Sequence, residues 1–271
     1  DTIRLSKSRI SWKEIAAVVR VLRTGYLGMG KEVFLFEKEL EKFFGRSVLC
    51  VNTGTSALQL SCQAIGLQPG DEVLVQSPTY VANYQAIAAT GANPISCDIN
   101  PETLGIDLDD AKSKLTDKTK AIMPVLIAGN PKGLNEVYKF AKENSLRIIE
   151  DASHAFGSKY KGRLVGSSGD ITCISLDGIK NITSGEGGII ISDDQKIIES
   201  IRDLRLLGVK KDSEKRYAGK RSIDFDVVDQ GWRYHMSDIM AAIGRVQLGK
   251  LPKLKNRRQL IARYYQNNIR L

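Results

Sequence analysis

The stretch that decides the fold is Val48-Leu-Cys-Val-Asn-Thr-Gly-Thr-Ser-Ala-Leu-Gln-Leu-Ser-Cys-Gln-Ala-Ile65. Val48 to Val51 form a short apolar run with no polar alternation, which reads as a strand buried on both faces. Thr55 to Ile65 reads as a helix. Between them, Asn52-Thr-Gly-Thr-Ser56 turns the chain from one to the other. Glycine permits close backbone approach, the hydroxyls donate, and the start of a helix favours an anion. Taken alone, this turn fits a phosphate cradle or the ordinary capped start of a helix, and it matches neither the Walker nor the dinucleotide pattern.

The same alternation continues outward. Upstream, Ser11-Trp-Lys-Glu14 is a capping box opening a helix that stops at Gly25. A second helix, Glu32 to Phe44, puts Val33, Phe36, Leu40 and Phe43 on one face. Downstream, strands are expected at Glu72–Val75, Pro94–Cys97, Ala121–Val125, Arg147–Glu150, Ile171–Leu176 and Gly188–Ile191. Helices are expected at Tyr80–Thr90, Leu108–Leu115, Asn135–Asn144 and Asp194–Leu207. Short apolar strands alternating with helices specify an α/β fold, a mostly parallel sheet covered on both faces. Residues 209–235 are polar and irregular, too long a connection to be filler. Two helices, about 236–249 and 251–268, follow.

Composition narrows the class. The chain has 271 residues, 42% hydrophobic and 26% charged, enough for a sizeable core and ordinary for a globular protein. No run approaches the ~20 apolar residues of a membrane span. The start, Asp1-Thr-Ile-Arg-Leu-Ser-Lys7, has no apolar signal core. Four scattered cysteines and two histidines argue against a metal site or a disulfide framework, so a cytoplasmic location is expected. The net charge of +9 resides in the tail: from Ile239 onward there are eight basic residues and no acidic one, and the rest is nearly neutral. That tail is either a helix for a polyanion or a linking helix whose acidic complement lies elsewhere. Its apolar stripe of Leu251, Leu254, Leu260, Ile261 and Tyr264 favours the second.

In parallel sheets ligands sit beyond the carboxyl ends of strands. Two further polar clusters fall there: Glu150-Asp151-Ala-Ser-His154, and Ser175-Leu-Asp-Gly-Ile-Lys180-Asn-Ile-Thr-Ser-Gly-Glu-Gly-Gly188. A carboxylate ending an apolar strand is costly unless it meets a cation, although it can also serve as a helix cap. A lone lysine is usually solvated. An anion cradle, an acid and an amine in this order are nevertheless what pyridoxal phosphate requires: a seat for its phosphate, a partner for its ring nitrogen, and an amine for its aldehyde.

Here the chain resembles the DegT/DnrJ/EryC1/StrS family of pyridoxal-phosphate-dependent sugar aminotransferases. The blocks that carry the resemblance are Gly30–Glu37, Asn52–Leu58, Pro69–Val73, Ser77–Tyr80, Glu150–Ala155, Lys180–Gly188 and Tyr234–Gly244. It implies the large domain of the fold type I aminotransferases, a three-layer αβα arrangement, over residues 1–235, with an interface loop at 209–235. Residues 236–271 would lead into a small domain that is incomplete. It implies that Lys180 is the catalytic lysine bonded to the cofactor, a role that needs a neutral amine. Asp151 would pair with the pyridinium nitrogen. Gly54, Thr55, Ser56 and Ser175 would meet the phosphate, Tyr80 would stack on the ring, and His154 would lie near the phenolic oxygen. Arg233 stands where many members have an Asn reaching the neighbouring subunit's phosphate, and Leu176 and Asp177 replace Phe and His.

The implied activity passes the amino group of L-glutamate to a nucleotide-linked ketosugar, in a homodimer, for surface polysaccharide or secondary metabolite biosynthesis. Lys180 argues against the family branch that dehydrates sugars with a histidine in its place. The competing expectations are a cofactor-binding chain with impaired turnover, and a regulatory protein that grips DNA through its basic tail. The near-neutral body and the lack of a nucleic-acid motif speak against the latter, and no membrane partner is expected.

Overall fold

In a computed structural model of the chain, which describes residues 6–220, 226–227 and 229–269, the expected alternation is present. The order is α1 (Trp12–Thr24), α2 (Lys31–Phe44), β1 (Ser47–Val51), α3 (Gly54–Ala64), β2 (Glu72–Gln76), α4 (Ala82–Ala88), β3 (Asn93–Cys97), α5 (Leu108–Ser113) and β4 (Thr119–Met123). There follow α6 (Leu134–Glu143), β5 (Arg147–Asp151), a two-residue hairpin of β6 (Lys159–Tyr160) and β7 (Arg163–Leu164), β8 (Ile171–Ser175), β9 (Gly188–Ser192), α7 (Gln195–Leu204), α8 (Asp212–Tyr217) and α9 (Asp238–Asn268).

Seven strands form one sheet in the order β1-β9-β8-β5-β4-β2-β3. β9 pairs antiparallel with both β1 and β8, while every other pairing is parallel. Six strands therefore point one way and β9 alone runs against them. Alternation along each strand divides the core into layers, because successive side chains leave a strand on opposite faces. Leu49, Val51, Val73, Val75, Ala121, Ile149 and Ile190 pack on one face against α3 and α7. On the other, Val48, Cys50, Ile174, Ile189 and Ile191 meet α2 and α9, and Leu74, Ile122 and Ile148 meet α6. This is the three-layer αβα arrangement.

The capping box on α1 forms as expected, with Ser11 and Glu14 bonded reciprocally and Gly25 left-handed at the far end. On α2 the buried ring is Phe44 rather than Phe43, which is only half-buried.

The tail departs from the sequence reading. The two expected helices are one, α9, which passes through Pro252. Proline removes a donor and crowds the preceding turn, at a cost of roughly 3 kcal/mol in a helix interior. Burial on both sides of it holds the helix together: Ala241, Leu251 and Leu254 all lie in the core cluster with α2. The missing acidic complement is also visible. Arg245 pairs with Glu32 and Glu39 on α2, and Lys250 pairs with Glu14 on α1. The segment read as irregular contains α8, and its residues 221–225 and 228 lie outside the described ones.

A buried ion pair ties that segment to the core. Arg205, fully buried, donates to Glu37 Oε1 at 2.6 Å, to the Cys50 carbonyl at 2.7 Å and to the Tyr217 hydroxyl at 2.6 Å. Tyr217 in turn donates to Glu37 Oε2. A charge so buried persists only with such partners.

Candidate active site

The six co-directional strands place their carboxyl ends along one edge, and the polar turns singled out in the sequence leave from it. After β1, Thr53 caps α3 with its hydroxyl on the Ser56 N–H, at 3.0 Å. Ser56 Oγ is itself engaged, with Thr53 O and Asn52 Oδ1 both within reach of its one proton, and it accepts from Thr53 N. The first N–H groups of the helix, those of Gly54 and Thr55, have no acceptor within the helix. They remain for an incoming anion. Thr55 is exposed and Ser175, at the end of β8, is buried. The two turns are pressed together: a Cβ on Gly54 would sit 2.8 Å from Ser175 Cβ, so only glycine allows the approach. Gly188 answers from β9, where any side chain would strike the Thr53 carbonyl.

Asp151 ends β5 with 5% exposure. Its Oδ2 accepts from Asn83 Nδ2 at 2.9 Å, and its Oδ1 accepts from the Ser153 N–H at 2.9 Å. Asn83 is fully buried on α4, and its Oδ1 accepts from the Thr79 hydroxyl at 2.8 Å. Among the described residues, no lysine, arginine or histidine forms an ion pair with this carboxylate. A buried anion held only by neutral donors is incomplete without a cation. Its strand neighbour Glu150 points to the opposite face. There burial pushes its pKa up to about 7, opposed by hydrogen bonds from Tyr138 and Thr172.

His154 is surface-exposed, and its Nδ1 accepts from the Ala128 N–H at 3.3 Å, which leaves the proton on Nε2. Partial desolvation of the ring lowers its pKa, and the nearby Lys180 charge lowers it further, while Asp151 pulls the other way. Lys180 therefore lies within electrostatic reach of His154. The Lys180 backbone is held by its N–H on Asp177 O, at 3.0 Å, in the turn after β8. Among the described residues its side chain has no hydrogen bond or ion pair. Asn181 locks this turn to the neighbouring one, donating to the carbonyls of His154 and Phe156 at 3.1 Å.

The structure thus brings Gly54, Thr55, Ser56 and Ser175 together, and sets Asp151, His154 and Lys180 on turns of the same edge. Tyr80, between β2 and α4, is 75% exposed. Arg233 is exposed, bridged through its backbone to Leu206, and has no hydrogen bond to the other candidates among the described residues. Its loop still reaches the cradle, because the Tyr234 carbonyl accepts from Asn52 N at 2.7 Å. Leu176 is fully buried, and Asp177 Oδ1 caps the following turn by accepting from Ile179 N. Sequence reasoning missed Asn83, Thr79 and Asn181. For Asn83 a signal existed: it is a polar residue among Ala82, Ala86 and Ile87 on the inner face of a helix. The arrangement offers an anion seat, a buried carboxylate short of a cation, and an unpaired amine, which fits pyridoxal phosphate. No cluster suited to a metal ion occurs among the described residues.

A profile of the DegT/DnrJ/EryC1/StrS aminotransferase family matches residues 8–270. The chain is 37% identical over 258 residues to the spore coat polysaccharide biosynthesis protein SpsC of Bacillus subtilis, covering 95% of this chain and 66% of that protein. Among solved structures, the PLP form of Spr1654 from Streptococcus pneumoniae superposes with a TM-score of 0.91 at 31% identity, over 98% of this chain and 71% of the other. The sugar aminotransferase CalS13 from Micromonospora echinospora does so with a TM-score of 0.89 at 30% identity, over 98% and 73%. The chain spans about two thirds of the length of the curated relative.

Proposed function

The chain belongs to the DegT/DnrJ/EryC1/StrS aminotransferase family and is a pyridoxal-phosphate-dependent aminotransferase, and from that premise we propose that it moves the amino group of L-glutamate to the carbonyl carbon of a nucleotide-linked ketosugar. The observation that carries the reading is Asp151, a buried carboxylate with neutral partners only, on the same sheet edge as the unpaired amine of Lys180. When bound, the cofactor supplies an electron sink for the carbanion left when a proton departs.

The chain's own groups do the rest. The Gly54 and Thr55 N–H groups at the start of α3, with Ser175 and the cap residue Ser56 behind them, seat the phosphate. Asp151 holds the ring nitrogen protonated, and Asn83 and Ser153 N keep the carboxylate aimed. Lys180 Nζ would shuttle a proton between the substrate carbon and the cofactor in each stage, away from the donor's α-carbon in the first and onto the sugar carbon in the second. His154, with its proton on Nε2, donates toward the phenolic oxygen, and the exposed ring of Tyr80 covers one face. Exposure of Tyr80 and Arg233 supports a homodimer in which a second copy closes the site, Arg233 meeting the partner's phosphate. The SpsC relationship supports a role in surface polysaccharide biosynthesis. No helix among the described residues is long and apolar enough to cross a membrane. The cytoplasm is the proposed site of action on the strength of four buried free thiols.

The test is spectroscopic. L-Glutamate should bleach the cofactor absorbance, and one nucleotide ketosugar from a panel should restore it. Borohydride trapping and peptide mapping should place the adduct on Lys180. An adduct on another amine, or no response to glutamate, would end this reading.

A further inference from the structure

On the far side of the Asn181 turn lies a cavity of about 470 Å³, within the range of small-molecule sites. Its lining includes Phe156, Ser158, Lys159, Asn181, Lys255 and Arg258, and no carboxylate. Nothing in the cofactor site accounts for it.

The charges on α9 divide at this cavity. The first cations along the helix, Arg245 and Lys250, are spent on glutamates of α1 and α2. Lys255 and Arg258, three residues apart and so on one face, instead donate to carbonyls: Lys255 Nζ to Gly157 O and Arg258 to Asn181 O, both at 2.9 Å. A carbonyl orients a cation without neutralising it. Among the described residues, neither these two nor Lys159 forms an ion pair. The contrast shows in the guanidinium groups: for Arg258 burial alone acts and lowers the pKa, whereas carboxylates raise those of Arg147 and Arg245. Each of the two α9 cations also keeps donors to spare, since an ammonium has three and a guanidinium five.

We infer that this cavity is an oxyanion subsite that binds the diphosphate of the nucleotide-linked substrate. The inference deepens the reading given above and rests on it for the identity of the substrate. The diphosphate bridge of a nucleotide sugar carries two negative charges and so meets two of the three uncompensated cations, whereas a single carboxylate would meet only one. The position also fits. Asn181 follows Lys180 and fastens the His154 and Phe156 carbonyls, so the cavity shares a wall with the proposed catalytic turn.

The experiment measures binding of uridine diphosphate and of inorganic pyrophosphate to the cofactor-loaded protein by calorimetry, at low and at physiological salt. Lys255→Ala and Arg258→Ala should each weaken both probes about tenfold, the double variant further, and Arg258→Lys should recover part of the loss. Circular dichroism of each variant checks that α9 remains folded. Unchanged affinities in the double variant, or no binding of either probe by the parent protein, overturn the inference. So does a rise in the KM for L-glutamate with diphosphate affinity unmoved, since the cations would then serve the donor's carboxylate. Failure of glutamate to bleach the cofactor is read separately and strikes the transamination reading, not this cavity.

Discussion

Replacing Asn83 with leucine probes how the proposed ring-nitrogen partner is held. Leucine keeps the branched skeleton of asparagine with bulkier ends, and position 83 is fully buried, so the change removes polarity and adds some crowding. The loss is specific. Asp151 Oδ2 forfeits a 2.9 Å bond from Asn83 Nδ2 in a site with 5% exposure, and the Thr79 hydroxyl forfeits its acceptor at 2.8 Å. Hydrogen bonds to charged groups are worth about 1.5–3 kcal/mol. Thr79 is only half-buried and can turn to water. The net cost should therefore be about 2 kcal/mol, or about 4–8 °C of melting temperature for a chain of this size. The Ser153 N–H still holds Oδ1, so the carboxylate stays but swings more freely. The dissociation constant for pyridoxal phosphate should then rise about tenfold, equivalent to about 1.4 kcal/mol. Calorimetric melting of the cofactor-free protein and absorbance titration with the cofactor measure the two effects. If both values match the parent protein, Asn83 does not hold Asp151, and the account of how the carboxylate is aimed fails.

Three further experiments test the frame around the site. Arg205→Met strands Glu37 in the core and should cost about 3–5 kcal/mol in urea unfolding, while adding Glu37→Met should restore most of it; a double variant no better than the single one would refute the pairing. Glu150, whose pKa burial raises to about 7, favours folding in its protonated form, so its contribution is full below about 4.5 and is lost as pH rises through 7. Glu150→Gln should therefore gain up to about 3 kcal/mol at pH 8 and nothing at pH 4, and denaturation at both pH values decides. Burial raises the Glu14 carboxyl, but hydrogen bonds from Lys250 and Ser11 outweigh it and hold the pKa at about 2. Its stabilisation is thus present above about 4.5 and fades as pH falls toward 2, so Glu14→Gln should cost about 3 kcal/mol at neutral pH and little at pH 2.

The parts of this fold legible in the sequence are those that local chemistry dictates. Apolar runs such as Val48–Val51 and Gly188–Ile191 announce strands because a sheet covered on both faces buries side chains of either parity and so favours apolar ones, and Ser11 and Glu14 announce a helix start because the N–H groups of a first turn lack acceptors. The opposite direction of β9 is not legible, since it is decided by pairing with β1 and β8, distant in the chain, and both orientations would bury the same side chains. The break expected near residue 250 is absent for the same reason: the penalty of Pro252 is local, whereas the burial of Leu251 and Leu254 that overrides it comes from the core cluster they share with α2, distant in the chain.

The site divides along the same line. Lys180, Asp151 and Gly54 sit in turns whose composition differs from their flanks. Asn83, Asn181 and the cavity cations Lys255 and Arg258 act across gaps of 68, 27, 98 and 77 residues. In the sequence Asn83 stands out only as a polar residue on an apolar helix face, and the other three are ordinary polar residues on a helix or a turn. The chemistry proposed here depends on the first group being placed by the second. Asp151 is useful as a partner for the ring nitrogen only while Asn83 and Ser153 N keep it aimed. The Lys180 turn keeps its register with the His154 turn only through Asn181. A sequence that retained every turn motif but lost these supports would preserve the family pattern and lose the geometry.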